Sequence, residues 1–302
     1  MADQEVGHST LISNILGEAA PVQCTYNYPY TNVREYIDFN QKLTRFGESG
    51  VYGFLGHLDS QAAATLLLQS ITTEARQQMI FRQFNGQFPM PVWFEVGIPQ
   101  SWAWTLLAPY ISSCPANQTR LAWANFPALT ILNQPNPAKL NPNQGADQAA
   151  TGGNPLNLTG IPQSNLCLNA SNVNGGDCPP AISNNRSIPL SYPGRPIHLS
   201  WEDQGQTVGP NNSYTTQRGA LADAPRFAMF VSQLNATYVP LVNISGNTAS
   251  AVQPNMSTFA GDPAVNGTMF LAITSADIYV TPYNLSNINS YVYAGPGLYQ
   301  AG

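Results

Sequence analysis

Two short patterns contain side chains that could bind a metal ion. Glu5-Val6-Gly7-His8 places a carboxylate and an imidazole three residues apart, and a helix brings such positions onto one face. Glu74 stands in a second helical pattern among apolar positions, where burying an unpaired carboxylate is costly. Some helical bundles hold two metal ions with a Glu from each of two helices and a Glu-x-x-His from each of the other two. Here Gln77 occupies the position where the second histidine would be required.

Glu48 is a further carboxylate among predicted core positions, and two interpretations of it stay open. It could bind a metal, or it could turn aside and pair with Arg45 or Arg76. The predicted metal ligands are Glu5, His8, Glu48 and Glu74. A di-iron site needs about six protein ligands, and the amide of Gln77 is a poor transition-metal ligand. We therefore expect no resident metal, with one iron or manganese ion as the alternative.

Helices are predicted to position these residues. Apolar periodicity and capping signals predict helices over residues 3–16, 33–56 and 60–84, and a shorter one over 99–111. After them, short alternating segments indicate strands at regular spacing. The sequence therefore predicts an α+β fold, in which a helical bundle is followed by a small antiparallel β-sandwich.

The predicted organisation has three parts. Residues 1–114 form the helical bundle, and residues 115–225 form an irregular segment rich in Asn, Pro and Gly, with a few strands and a disulfide-closed loop. Residues 226–302 form the sandwich, and strands within 121–132 and 196–202 are candidates to join it.

Composition excludes several classes of function. The chain of 302 residues has a net charge of −5 and only 9% charged residues, without a basic patch, which argues against nucleic acid as a partner. The longest apolar stretch, over residues 62–68, is too short to span a bilayer. Neither a G-x-S-x-G nor an H-E-x-x-H motif is present, so we predict no catalytic residues.

Sequons and cysteines predict an extracellular location. The N-x-Ser/Thr sequons all follow residue 110, and they indicate a glycosylated, secreted chain. They lie at Asn117, Asn157, Asn169, Asn185, Asn211, Asn235, Asn243, Asn255, Asn266 and Asn284.

The even set of four cysteines fits an oxidising compartment and leaves three pairings open. We favour Cys24 with Cys114 and Cys167 with Cys178. The first residues show neither a charged nor an apolar signal region. We therefore expect a signal and at least one further helix upstream of Met1.

Several motifs also carry a resemblance to a known family. They are Asp3-Gln4-Glu5-x-x-His8, Cys24-Thr25-Tyr26-Asn27-Tyr28-Pro29, Ile71-Thr72-Thr73-Glu74-Ala75-Arg76, and shorter matches within 113–115, 126–130, 236–241 and 293–296. With them the chain resembles the secreted fungal ferritin-like proteins of stress response and late sexual development, which are related to plant desiccation-related proteins.

The resemblance implies a ferritin-like bundle that lacks its first helix here. It also implies that Glu5, His8 and Glu74 stand at the family's ligand positions, with Thr44 where a Glu is expected and Glu48 one turn later. It implies no particular reaction.

We expect a secreted, glycosylated ferritin-like protein with a degenerate metal site and a non-enzymatic, structural or stress- and development-related role at the cell surface or wall. Self-association into a homo-oligomer and association with the extracellular matrix are its expected interactions. One alternative is an iron- or manganese-binding protein with oxidase or storage activity. The other is a carbohydrate-binding surface protein with exposed aromatics such as Tyr214, Tyr283 and Tyr291.

Overall fold

The computed structural model of the chain describes residues 1–84, 89–135, 191–262 and 267–300. Its α-helices are α1 (Ala2–Leu16), α2 (Val33–Leu55), α3 (Gln61–Phe84) and α4 (Gln100–Leu107). The first strands are β1 (Thr25–Tyr26), β2 (Ile111–Ser113), β3 (Leu129–Ile131), β4 (Pro196–Trp201), β5 (Thr207–Val208) and β6 (Tyr214–Thr215). The remaining strands are β7 (Phe227–Ser232), β8 (Asn235–Pro240), β9 (Val242–Ser245), β10 (Thr248–Val252), β11 (Thr268–Thr274) and β12 (Val292–Gln300).

Two four-stranded antiparallel sheets, ordered β3-β4-β10-β9 and β12-β11-β7-β8, enclose one core. The predicted α+β fold, with helices first and an antiparallel sandwich after them, is confirmed. Both β3 and β4 come from the segment predicted to be irregular. Of the strand predicted within 121–132, only residues 129–131 form a strand; residues 121–128 have no regular secondary structure.

Strand β11 is buried on both faces, and this shows how the helices attach to the sandwich. Successive side chains of a strand point to opposite faces. Met269 and Leu271 therefore enter the core between the sheets. Phe270 and Ala272 instead enter a second core shared with the helices and the segment before α4, including Phe46, Ile98 and Trp102. Helices α2 and α4 thus pack on the outer face of one sheet, and α3 packs on α2.

A close backbone contact joins α2 to the segment that leads into α4. The Ile98 amide donates to the Ser49 carbonyl at 2.9 Å. A Cβ at Gly53 would lie 1.8 Å from the Ile98 carbonyl oxygen, so only glycine permits this approach. Gly53 therefore has a defined structural role.

The predicted disulfide between Cys24 and Cys114 is confirmed, and it lies beside the short β1–β2 ladder. Cys167 and Cys178 lie outside the described residues, as do the sequons at Asn157, Asn169, Asn185 and Asn266. Over the part of the chain that is described, every helix is too short or too polar to cross a bilayer.

Replacing Gly53 by alanine should lower the free energy of unfolding by about 3 kcal/mol, because the added methyl group would overlap the Ile98 carbonyl. Urea denaturation followed by circular dichroism measures this change. Gly7→Ala is the matched control: it is also helical, but a Cβ there meets nothing within 4 Å, so stability should not fall. Equal stability of Gly53→Ala and wild type would contradict the packing described here.

Candidate metal site

The candidate site lies where α1 contacts α3. Glu5 and His8 are one helical turn apart on α1, and Glu74 stands opposite them on α3. His8 Nδ1 lies 3.5 Å from Glu5 Oε2 and 3.6 Å from Glu74 Oε1. One ligand atom from each of the three residues lies within 4.8 Å of the other two. The structure therefore brings together three of the four residues predicted as ligands.

The hydrogen bonds of Thr73 define which nitrogen of His8 carries the proton. Thr73 Oγ1 donates its only proton to the Ser70 carbonyl at 2.8 Å, so it must accept from His8 Nε2 at 2.9 Å. In the neutral imidazole this leaves the lone pair on Nδ1, which is buried and has no hydrogen-bond partner. That lone pair faces two carboxylates. Such an arrangement is favourable only with a cation or a proton among these three groups.

Gln77 orients Glu5 from the neighbouring helix. Its Nε2 donates to Glu5 Oε1 at 2.7 Å and to Gln4 Oε1 at 3.2 Å. One oxygen of Glu5 is therefore held by the amide, while the other faces His8. The residue that replaces the second histidine thus positions a predicted ligand. In metal sites, partners of this kind fix the ligand's geometry.

The pKa of Glu74 is raised because its carboxyl group is buried beside another carboxylate. Burial and, to a lesser extent, the charge of Glu5 raise the pKa of Glu74 from 4.5 to about 7. A metal ion between these groups would favour the ionised form of both carboxylates. Proton and metal therefore compete for the same oxygens at neutral pH.

Glu48 is fully buried, but it lies outside the three-residue cluster. Its Oε2 is 3.6 Å from Arg45 Nη1, which also donates to Glu95 Oε2. Burial raises the pKa of Glu48 to about 8 against the attraction of Arg45, and the charges of Glu95 and Glu74 add to the rise. The geometry favours the ion-pair interpretation, and metal binding by Glu48 stays a prediction.

Two residues of the site environment were missed in the sequence. Thr73 carries no motif of its own, although its position beside Glu74 on the same helix could have suggested a contact with the ligands. Glu95 is 50 residues from Arg45, so nothing in the local pattern indicates their ion pair. Both contacts depend on tertiary packing.

The cluster opens onto a groove between the helices. Its volume is about 1080 Å³, and Glu5, Glu74 and Gln77 form a polar part of its wall. Most of the other lining residues are apolar, among them Leu67 and Phe81. The ligand oxygens are therefore accessible from this groove.

A helical pair that presents Glu-x-x-His on one helix and Glu on the next is typical of ferritin-like bundles. Residues 1–87 match the ferritin-like domain family, and this match gives the class of the helical part of the chain. Over 305 aligned residues the chain is 47% identical to protein rds1 of Schizosaccharomyces pombe, and the alignment covers 100% of this chain and 69% of rds1. The chain therefore belongs to the same family as rds1, and its first 87 residues match a ferritin-like domain.

The buried carboxyl of Glu48 predicts a pH dependence of stability. The pKa is about 8 in the folded state and 4.5 ordinarily, so the folded protein binds the extra proton. The unfolding free energy should consequently fall as pH rises from 4.5 to 8, by on the order of 4 kcal/mol from this group. Glu48→Gln should make the slope shallower in chelator-containing buffer, measured by urea denaturation at a series of pH values. Glu18→Gln, at an exposed position, should leave the slope unchanged; an equal effect of both substitutions would refute this assignment.

Proposed function

We propose that this ferritin-like protein binds one divalent transition-metal ion through Glu5, His8 and Glu74. The observation that carries the proposal is the convergence of three potential ligand atoms within 4.8 Å, with an unpartnered nitrogen among them. Two carboxylates and one imidazole form a mixed oxygen and nitrogen set, which suits iron, manganese or zinc.

The residues fit one ion better than two. A di-iron centre needs about four carboxylates and two histidines. Among the described residues the cluster provides two carboxylates and one histidine, and the amide nitrogen of Gln77 is already used as a donor to Glu5. This donor set supports a sequestering or structural site rather than a di-iron oxidase. When bound, the ion would supply the positive charge that the three ligands lack.

Each residue of this chain has a defined part in such a site. Thr73 holds the His8 tautomer that points Nδ1 toward the carboxylates. Gln77 fixes one oxygen of Glu5, and Glu74 brings α3 to the ion. Because the ligands come from α1 and α3, binding would also fasten α1 to the rest of the fold.

We further propose that the protein is extracellular and glycosylated, with a stress- or development-related role at the cell surface. The Cys24–Cys114 disulfide supports an oxidising compartment. Four sequon asparagines are exposed, namely Asn117, Asn211, Asn243 and Asn255, although Asn211 Nδ2 donates to the Cys114 carbonyl at 3.2 Å. Two others, Asn235 and Asn284, are partly buried and use their amide groups in hydrogen bonds.

Chelator-stripped protein should bind one equivalent of Mn²⁺, or of Fe²⁺ under anaerobic conditions, in calorimetric titration. His8→Ala and Glu74→Gln should each weaken binding by more than about 100-fold, the upper range for loss of an outer partner. Circular dichroism of each variant should show that α1 and the sheets remain folded.

His57→Ala is the matched control, because His57 is exposed and lies outside the cluster. It should bind metal as the wild type does. Two equivalents per chain would contradict the one-ion site. Unchanged affinity in both ligand variants would refute the proposal.

Protein secreted by a fungal host should lose mass on treatment with a peptide N-glycosidase, because the exposed sequons accept glycans. Mass spectrometry of the peptides should locate the modified asparagines at or after Asn117. An unmodified secreted chain would contradict the glycosylation proposal without affecting the metal proposal.

A further inference from the structure

A second cavity, of about 450 Å³, lies between the segment 120–125 and β6. Its lining includes Arg120, Trp123, Asn125, Tyr214, Thr215 and Gln217. This cavity shares Trp123 with the helical groove but contains none of the proposed metal ligands. Its volume is within the range of about 300–1,000 Å³ typical of small-molecule sites.

Cross-contacts hold the two walls of the cavity together. The Leu121 amide donates to the Tyr214 hydroxyl at 2.8 Å, and the Gln217 amide donates to the Asn125 carbonyl at 2.8 Å. The segment before β3 is thus fastened to β6 and to the residues after it. The cavity is therefore preformed by hydrogen bonds between segments far apart in sequence.

The lining favours a neutral ligand. Arg120 is the one charged residue among the described lining residues, and its guanidinium already lies 3.9 Å from the Tyr214 ring centroid. Its Nη1 also donates to the Ser213 carbonyl at 2.7 Å. With no carboxylate in the lining, the site lacks the usual partner of a cation. The other polar lining groups are amides and hydroxyls, which both donate and accept hydrogen bonds.

Asn125 has an unused hydrogen-bond acceptor. The residue is only 3% exposed, and its Nδ2 donates to the Trp104 carbonyl at 3.3 Å. Its Oδ1 is buried without a hydrogen-bond partner. Leaving such an acceptor unsatisfied costs about 1–3 kcal/mol. Because this oxygen has almost no accessible surface, a ligand in the cavity would bond to the exposed side chains of Thr215 and Gln217 instead.

Trp123 supplies an apolar ring beside these polar groups, since it is 45% exposed and lines the cavity. A pyranose has one face of C–H groups, which packs on an aromatic ring, and a rim of hydroxyls, which bond to amides. We propose that this cavity binds a neutral oligosaccharide, with a sugar ring on Trp123 and hydroxyls bonded to the exposed side chains of Thr215 and Gln217. The tyrosines that the sequence suggested for carbohydrate binding are not the ones used here. Tyr214 is buried beneath Arg120, while Tyr283 and Tyr291 do not line the cavity.

The test uses the full chain after enzymatic removal of its own N-glycans, which would otherwise compete for the cavity. Soluble glucan, mannan and chitin hexasaccharides are titrated by calorimetry and followed by tryptophan fluorescence. At least one should bind, and Trp123→Ala should weaken its binding at least tenfold. Gln217→Ala should weaken it by a smaller factor, because one hydrogen bond is lost.

Trp93→Ala is the matched control, because Trp93 is 50% exposed and lines neither cavity. It should bind the sugar as the wild type does. His8→Ala should bind it equally well, which separates this site from the proposed metal site. The proposal is overturned if no neutral hexasaccharide binds, if Trp123→Ala binds as tightly as the wild type, or if Trp93→Ala weakens binding as much as Trp123→Ala.

Discussion

The contact between α1 and α3 is the constraint on which the candidate metal site depends. No side chain of α1 is buried, so this helix gains little from apolar packing. It approaches α3 with an imidazole lone pair and a carboxylate, and it meets another carboxylate there. These groups repel one another unless positive charge lies among them. The proposed ion binding would therefore be coupled to the docking of α1 on α3.

A second buried carboxyl group in the helices, that of Glu48, has different surroundings from Glu74. Glu48 is more deeply buried than Glu74, yet among the described residues it has a guanidinium within 4 Å and Glu74 has none. Burial keeps the pKa of Glu48 high, and Arg45, which also pairs with Glu95, offsets this rise only in part. Glu48 thus has a partly compensating neighbour, while Glu74 belongs to the cluster for which a cation is proposed.

Much of this arrangement could be predicted from the sequence, because it depends on local periodicity. The spacing of Glu5 and His8 and the position of Glu74 on an apolar face follow from helical geometry. The ion pair of Arg45 with Glu95 and the tautomer of His8 depend on contacts between distant segments, which no local pattern contains. Aromatic exposure was also unpredictable: Tyr214 reads as a surface residue but lies under Arg120.

The double burial of β11 has a consequence for the evolution and engineering of this chain. Phe270 and Ala272 face the helices, while Met269 and Leu271 face the opposite sheet. Strand β11 is therefore part of both hydrophobic cores. A gene fusion or excision that separated the helices from the sandwich would expose an apolar surface on each part, and such surfaces promote aggregation. We therefore expect the helical part and the sandwich of this chain to fold as one unit.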